Sequence, residues 1–263
     1  MSFWKCSLLT GLNFGGFIPL STLDWYGLAV SVLFFRGCPF RCVYCHNHLL
    51  LDGRETVDYG FVEAKIEGAR DFVSGVVFSG GEPCAQAKGL VDLSCFVKDL
   101  DLAVGVETSG FYPDVLSSLV EGGLVDRVFL DIKAPLDDPQ AYGEITGSAG
   151  DNGFKITRRV AESLDIVDGI VEVRTTLFRS FITREFVRGI ASELLGRDCD
   201  WVLRQGIPEH ALSEAIRSET QLSRDELLVL GESMLDLVSN LRIRTIENGE
   251  EKVSSALSAT DSQ

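Results

Sequence analysis

The 263-residue chain has no apolar run that approaches the length of a membrane span. Its start, residues 1–35, is broken by several glycines, Pro19 and Asp24, and has no basic leader before its apolar part, so no signal or anchor is expected there. Positive charge is scarce: 24 lysines and arginines face 39 acidic residues, for a net charge of -15 and a pI near 4.6. That balance argues against nonspecific attachment to nucleic acid or anionic lipid, and reads most simply as solubility. Seven cysteines, an odd number without framework spacing, do not describe a disulfide scaffold, and a reducing cytoplasm is the expected location. No repeat shows beyond an alternation of strands and helices. What remains, 45% hydrophobic and 24% charged, is ordinary for a globular protein that can bury the core of a one-domain α/β barrel.

Against that background one stretch stands out, Gly37-Cys38-Pro39-Phe40-Arg41-Cys42-Val43-Tyr44-Cys45-His46-Asn47. Three cysteines at C-x3-C-x2-C follow an apolar run, Leu28 to Phe35, that reads as a buried strand. A loop at a strand end can turn three thiolates toward one point, and thiolates are natural ligands of iron–sulfur clusters. A 4Fe–4S cluster held by three cysteines leaves one iron open for another ligand, which implies chemistry rather than electron carriage alone. A zinc knuckle with His46 or His48 as fourth ligand stays open on these residues, although zinc sites favour paired C-x2-C turns.

Residues 6–20 read as a hairpin around Gly11 to Gly16, and residues 1–27 as a lead-in. From residue 28 to 245 strands and helices alternate. Strands are expected at Leu28–Phe35, Gly75–Phe78, Leu102–Val106, Arg127–Leu130, Ile170–Thr175 and Trp201–Arg204. Helices are expected near 61–72, 86–98, up to Val120, 152–164, 184–195 and 224–240. Six such units imply a parallel sheet and fit an incomplete (β/α)6 barrel preceded by the hairpin. Residues 246–263 read as a solvated, flexible tail.

Polar clusters follow the C-terminal ends of four of these strands: the cysteine loop, Ser79-Gly80-Gly81-Glu82-Pro83, Glu107-Thr108-Ser109-Gly110 and Asp131-Ile132-Lys133. In parallel α/β architectures that rim is where sites are built, so the four clusters read as one site. Gly80 and Gly81 allow close backbone approach to a ligand, although a Gly-Gly turn is often only a turn. Asp131 and Lys133, two apart, leave the strand on one face, where a lysine can meet an anionic ligand group and an aspartate can accept hydrogen bonds; a surface ion pair is the alternative, less apt beside a barrel mouth. Glu107 and Ser109 are candidates for ligand contact. Arg174, inward on its strand, needs an anionic partner. Arg204 and Gln205 close the sixth strand with either a ligand or a structural role. Cys6, Cys84, Cys95 and Cys199 read as small buried apolar residues, with Cys84 the one to watch, and His210 carries no assigned role.

These motifs together resemble a family of the radical S-adenosylmethionine (SAM) enzymes. The matching stretches are Ser21-Thr22-x-Asp24, Phe35-Arg36-Gly37-Cys38, Tyr44-Cys45-His46-Asn47, Phe78 to Pro83, Glu107 to Gly110, Asp131-Ile132-Lys133, Arg242 to Thr245 and Gly249-Glu250-Glu251. The family is the anaerobic ribonucleoside-triphosphate reductase activating proteins, similar to pyruvate formate-lyase activating enzyme. The resemblance implies a 4Fe–4S cluster on Cys38, Cys42 and Cys45, with Tyr44 near the adenine of SAM. It implies that Gly80, Gly81, Glu82, Asp131 and Lys133 help to seat SAM; Glu107 and Arg174 stand as weaker candidates for that contact on their strand positions alone, with a structural role as the alternative. The implied reaction is reductive cleavage of SAM to a 5′-deoxyadenosyl radical, which takes a hydrogen atom from a glycine of a partner enzyme. The implied partners are that glycyl radical enzyme, an anaerobic ribonucleotide reductase, and a flavodoxin or ferredoxin as electron donor. Another glycyl radical enzyme, or a small-molecule substrate, is the alternative. No cysteine lies between Cys45 and Ser79, and only Cys199 follows Cys95, so the cysteine-rich insertion and extension of some relatives are missing.

Overall fold

A computed structural model describes residues 11–148, 150 and 152–254 of the chain. Ten strands and eight α-helices run in the order β1 (Leu12–Ser21), β2 (Val30–Phe35), β3 (Thr56–Val57), α1 (Tyr59–Ala69), β4 (Gly75–Gly80), α2 (Ala87–Asp99), β5 (Ala103–Thr108), α3 (Pro113–Glu121), β6 (Arg127–Asp131), α4 (Pro139–Ile145), α5 (Asn152–Ile166), β7 (Val171–Leu177), α6 (Arg184–Glu193), β8 (Cys199–Gln205), α7 (Glu214–Arg217), α8 (Arg224–Glu232), β9 (Leu241–Thr245) and β10 (Gly249–Lys252). Among the described residues no helix is long and apolar enough to cross a membrane.

The chain divides into two compact units, with the boundary falling inside β6. The first holds the described residues up to 39, then 49–108 and 114–128. Its strands lie in the order β3-β1-β2-β4-β5. β2, β4 and β5 are parallel, with Phe35 opposite Gly80 and Phe78 opposite Val106, and β1 adds antiparallel. The near-continuous apolar runs of β2 and β4 are those of strands covered on both faces. Phe35 and Phe78 meet edge to face at 5.9 Å, among the buried Leu33, Ile66, Leu90 and Leu93. Because β2 and β4 are parallel and in register, the cysteine loop and the Gly-Gly-Glu loop leave the same edge of this sheet.

The second unit holds residues 40–48, 109–113 and the described part of the chain from 129. Here β7, β8 and β9 are parallel and β10 pairs antiparallel with β9. Trp201, fully buried, anchors the core and donates its indole N–H to Thr175 at 3.0 Å, so the one polar atom of that ring is satisfied.

Three expectations change. The hairpin expected over 6–20 is, in its described part, the single strand β1. Gly15 and Gly16 mark a register shift against β2 rather than a turn, a bulge that bends the strand instead of reversing it. Residues 6–10 lie outside the described residues. The helix expected to 240 stops at Glu232: Leu227, Leu230, Met234 and Val238 are all buried at helical spacing, but Met234 lies in a turn and Val238 in no regular element, so the apolar period outruns the helix. The tail expected from 246 begins with structure. β9 and β10 form a hairpin with Thr245 opposite Gly249, held by Arg224 on Glu251 at 2.6 Å. Residues 255–263 lie outside the described residues.

Candidate active site

The first unit presents Cys38 on a stem fixed by backbone. Gly37 N–H donates to Leu50 O at 2.7 Å and Cys38 N–H to Leu51 O at 3.3 Å. Two residues without an assigned role brace that stem. Gln86 donates to the carbonyls of Asn13 and Arg36, both at 3.0 Å, and accepts from Asn13 N–H at 2.9 Å. A side-chain amide that replaces backbone pairing has no local signature in the sequence.

The Gly-Gly-Glu loop is laced onto the same stem: Gly81 N–H donates to Phe35 O at 2.8 Å and Glu82 N–H to Gly37 O at 2.9 Å. A Cβ on Gly80 would stand 2.3 Å from Phe35 O, and one on Gly81 2.3 Å from Gly37 O, so both glycines are required by close backbone approach. Gly80 also takes φ +117°. The Glu82 side chain is 1% exposed; it caps the 3-10 turn Pro83–Gln86 by accepting from Cys84 N–H at 3.0 Å and from the Thr108 hydroxyl at 2.8 Å. Its carboxylate therefore ties β4 to β5. Ser79 donates to Glu107, which locks another acid in the same way. Burial, with Glu82 beside it, holds the Cys84 thiol well above the ordinary range, so Cys84 is protonated and packed.

The second unit carries Cys42 and Cys45. Cys45 N–H donates to Cys42 O at 2.9 Å in a tight turn. The segment is pinned by Arg41 N–H on Thr146 O at 3.0 Å, Val43 N–H on Ile145 O at 2.9 Å and Ser213 N–H on Val43 O at 2.7 Å. His46 Nε2 faces Ile207 O at 3.0 Å and His48 Nδ1 faces Cys45 O at 3.2 Å, so both rings are oriented by backbone. Tyr44 is buried and stacks on Phe178 with ring centroids 5.1 Å apart. The Lys133 ammonium lies 5.9 Å from the Tyr44 ring centre and donates to Asp131 Oδ2 at 2.8 Å. Lys133 is 8% exposed, whereas the Asp131 side chain keeps 39% of its surface.

The electrostatics of this unit follow from that lysine. Burial opposes its charge, yet Asp131, then Tyr44 and Cys42, hold the ammonium well above the usual lysine range. Burial raises Asp131, but Lys133 prevails and holds its carboxyl below the usual range. Burial pushes the Cys42 thiol up to about 11 and raises Cys45, with Lys133 pulling both the other way. Thiols that resist ionisation in the metal-free protein become ligands when iron charge compensates the thiolates. Arg174 finds its anion within its own strand: its Nε donates to Glu172 Oε1 at 2.7 Å, its guanidinium lies 3.9 Å from the Phe129 ring centre, and Arg242 holds the other Glu172 oxygen at 2.6 Å. The partner that Arg174 requires is thus internal.

The donor set of three thiols on one short loop fits the cluster.

The family model "Radical SAM superfamily" matches residues 32–178, more than half of the chain. This chain belongs to the radical SAM superfamily. A Methanocaldococcus jannaschii protein that bears the name of a glycyl-radical enzyme activating enzyme is 29% identical over 88% of this chain and 95% of its own length. The pyruvate formate-lyase-activating enzyme of Clostridium pasteurianum is 31% identical over 52% of this chain and 58% of its own. Among solved structures, a radical SAM methyltransferase from Sphaerobacter thermophilus superposes with a TM-score of 0.64 at 16% identity, covering 82% of this chain and 68% of that one. That likeness shows the α/β fold with its mixed sheet. As a radical SAM enzyme the chain uses a 4Fe–4S cluster and SAM.

Proposed function

We propose that this radical SAM enzyme is an activase that generates a glycyl radical on an anaerobic ribonucleoside-triphosphate reductase. The observation that carries the activase reading is the end-to-end similarity to the Methanocaldococcus jannaschii protein, which spans nearly all of both chains. Tyr44-Cys45-His46-Asn47, Ser79-Gly80-Gly81-Glu82 and Asp131-x-Lys133 support it, and the choice of partner rests on the whole motif set.

In this reading Cys38, Cys42 and Cys45 hold the cluster. The bound cluster and SAM supply a carbon-centred radical that removes a hydrogen atom from a glycine Cα of the partner, fed by one electron from a flavodoxin or ferredoxin. Lys133 neutralises the SAM carboxylate and Asp131, with an oxygen still in reach of solvent, accepts from its hydroxyl or ammonium groups. The Gly80-Gly81-Glu82 backbone faces the SAM amino group, while the Glu82 and Glu107 side chains position that loop from within the first unit. Tyr44 lies against the adenine. Arg174 braces β7 rather than touching SAM. The cysteine usage favours a cytoplasmic location.

A pyruvate formate-lyase-type partner is the second reading, favoured by the 31% identity to the Clostridium pasteurianum enzyme. The test is anaerobic EPR of the reconstituted, reduced protein mixed with SAM and the anaerobic ribonucleotide reductase of the same organism. A glycyl radical doublet that needs both SAM and this chain is expected. 5′-Deoxyadenosine without a doublet would overturn the partner, and a doublet on pyruvate formate-lyase alone would replace it with the second reading.

A further inference from the structure

The turn that carries Asp131 and Lys133 is held from two sides. Ile132, between them, faces β7: its N–H donates to Arg174 O at 3.0 Å and its carbonyl accepts from the Thr175 hydroxyl at 3.1 Å. Thr175 itself accepts from the buried Trp201, which ties this side of the turn to the core. Backbone groups alternate in direction along an extended chain, so Asp131 O and Lys133 N–H turn the other way. There a side chain stands in for a strand. The Tyr142 hydroxyl accepts from Lys133 N–H at 3.4 Å and donates to Asp131 O at 3.5 Å. Both contacts are long, so the hydroxyl bridges the two groups rather than closing on either. A neutral phenol can accept and donate at once. Burial holds the Tyr142 hydroxyl above the ordinary range, with Lys133 pulling the other way, so it stays protonated. Tyr142 is fully buried, and a buried hydroxyl is costly unless it is bonded. The bonds this one has are to the turn.

The helix that supplies Tyr142 also holds the cysteine segment of the same unit. The last carbonyls of a helix have no partner within it. In α4 they are taken by the cysteine segment: Ile145 O accepts from Val43 N–H and Thr146 O from Arg41 N–H. Gly147 follows the helix at φ +66°, and a Cβ there would stand 2.7 Å from Arg41 O, so only glycine lets the two backbones come this close. The Thr146 hydroxyl donates back to Tyr142 O at 2.8 Å. One helix of seven residues therefore meets the neighbours of Cys42 with its end and the Lys133 turn with its middle.

We propose that Tyr142 is a positioning residue of the SAM site, whose hydroxyl sets where the Lys133 turn stands relative to the segment that carries Cys42 and Cys45. The inference rests on the reading that Lys133 meets the SAM carboxylate, and it gives a task to a residue outside the Asp131-x-Lys133 motif. The lysine side chain is long, but its root is the turn. Ile132 fixes that root against β7, and Tyr142 fixes it against α4. In a preorganised site a displacement of about 1 Å is enough to lose much of an interaction.

The experiment is a double-mutant cycle on the anaerobically reconstituted holoprotein: wild type, Tyr142→Phe, Lys133→Met and the double variant. Iron content is measured, and SAM affinity is read from the EPR spectrum of the reduced cluster. Phenylalanine keeps the ring and removes one oxygen. Tyr142→Phe is expected to hold wild-type iron and to bind SAM about fivefold more weakly, the order of one modest hydrogen bond. In the Lys133→Met background the same change is expected to add almost nothing, because a residue that acts through Lys133 then has nothing left to place. Amide exchange of the holoprotein, followed by mass spectrometry, is expected to quicken in Tyr142→Phe at residues 131–133 and to match the wild type along β7. Wild-type SAM affinity in Tyr142→Phe, or unchanged exchange at 131–133, would overturn the proposal. An equal loss of affinity in both backgrounds would overturn it too, since that describes a general loosening of the core. Wild-type affinity in Lys133→Met would instead remove the Lys133 reading on which the proposal rests.

Discussion

Two ion pairs in the second unit have the same spacing and different meanings. Asp131 and Lys133 leave the end of β6 two residues apart, and Glu172 and Arg174 stand two residues apart within β7. Both pairs are joined at 2.7 to 2.8 Å. Glu172 and Arg174 are closed: each is 3% exposed, a second arginine takes the remaining Glu172 oxygen, and Arg242 in turn meets Glu250 at 2.8 Å. The Asp131–Lys133 pair is open on one side, because Asp131 keeps 39% exposure and Lys133 lies by the Tyr44 ring. Spacing tells which side chains meet. Closure tells whether the charge is left over for a ligand.

The largest expected effect falls on the closed pair. Arg174→Met leaves Glu172 with Arg242 alone in a buried place and should lower stability by about 3 kcal/mol in chemical denaturation, the low end for breaking a buried pair because one partner remains. Lys133→Met should cost less, about 1 kcal/mol, since Asp131 can hydrate through its exposed side. Equal losses in the two variants would erase the distinction. Replacing Glu172 and Arg174 together by methionine should recover much of the first loss and fall within about 1 kcal/mol of the wild type, because no uncompensated charge is left on β7.

The smallest effect is a pH dependence of the open pair. The Asp131 carboxyl is held below its unfolded value, so its contribution is present above about pH 4 and is lost as pH falls through the folded value. The Lys133 ammonium is held above its unfolded value, so its contribution is present below about pH 10 and is lost as pH rises through the folded value. The stability difference between the wild type and Asp131→Asn should therefore be flat near neutral pH and shrink in acid. A difference that grows in acid would contradict the pairing.

Much of the site was legible because its signals are local. The cysteine spacing, the Gly-Gly-Glu loop and the polar residues at strand ends depend on neighbours in sequence, and the strands that carry them fall close to where alternation places them. What was not legible depends on partners brought from afar. Nothing near Glu82 announces Thr108, and nothing near Gln86 announces Asn13. Arg174 was different. Glu172 stands at the same two-residue spacing that pairs Asp131 with Lys133, so its internal partner was visible in the sequence all along. The misread hairpin and helix have a common cause. Gly15-Gly16 is compatible with a turn or a bulge, and the apolar spacing from Leu227 to Val238 with a helix or with turns, until the packing partners choose.

The most direct test is a SAM titration of anaerobically reconstituted wild type, Lys133→Met and Arg174→Met, read from the change in the EPR spectrum of the reduced cluster. All three should bind the same amount of iron. The account predicts a SAM-induced change with near wild-type affinity in Arg174→Met, and an affinity at least about tenfold weaker in Lys133→Met, the worth of about 1.4 kcal/mol. Wild-type affinity in Lys133→Met, with the loss in Arg174→Met instead, would contradict it.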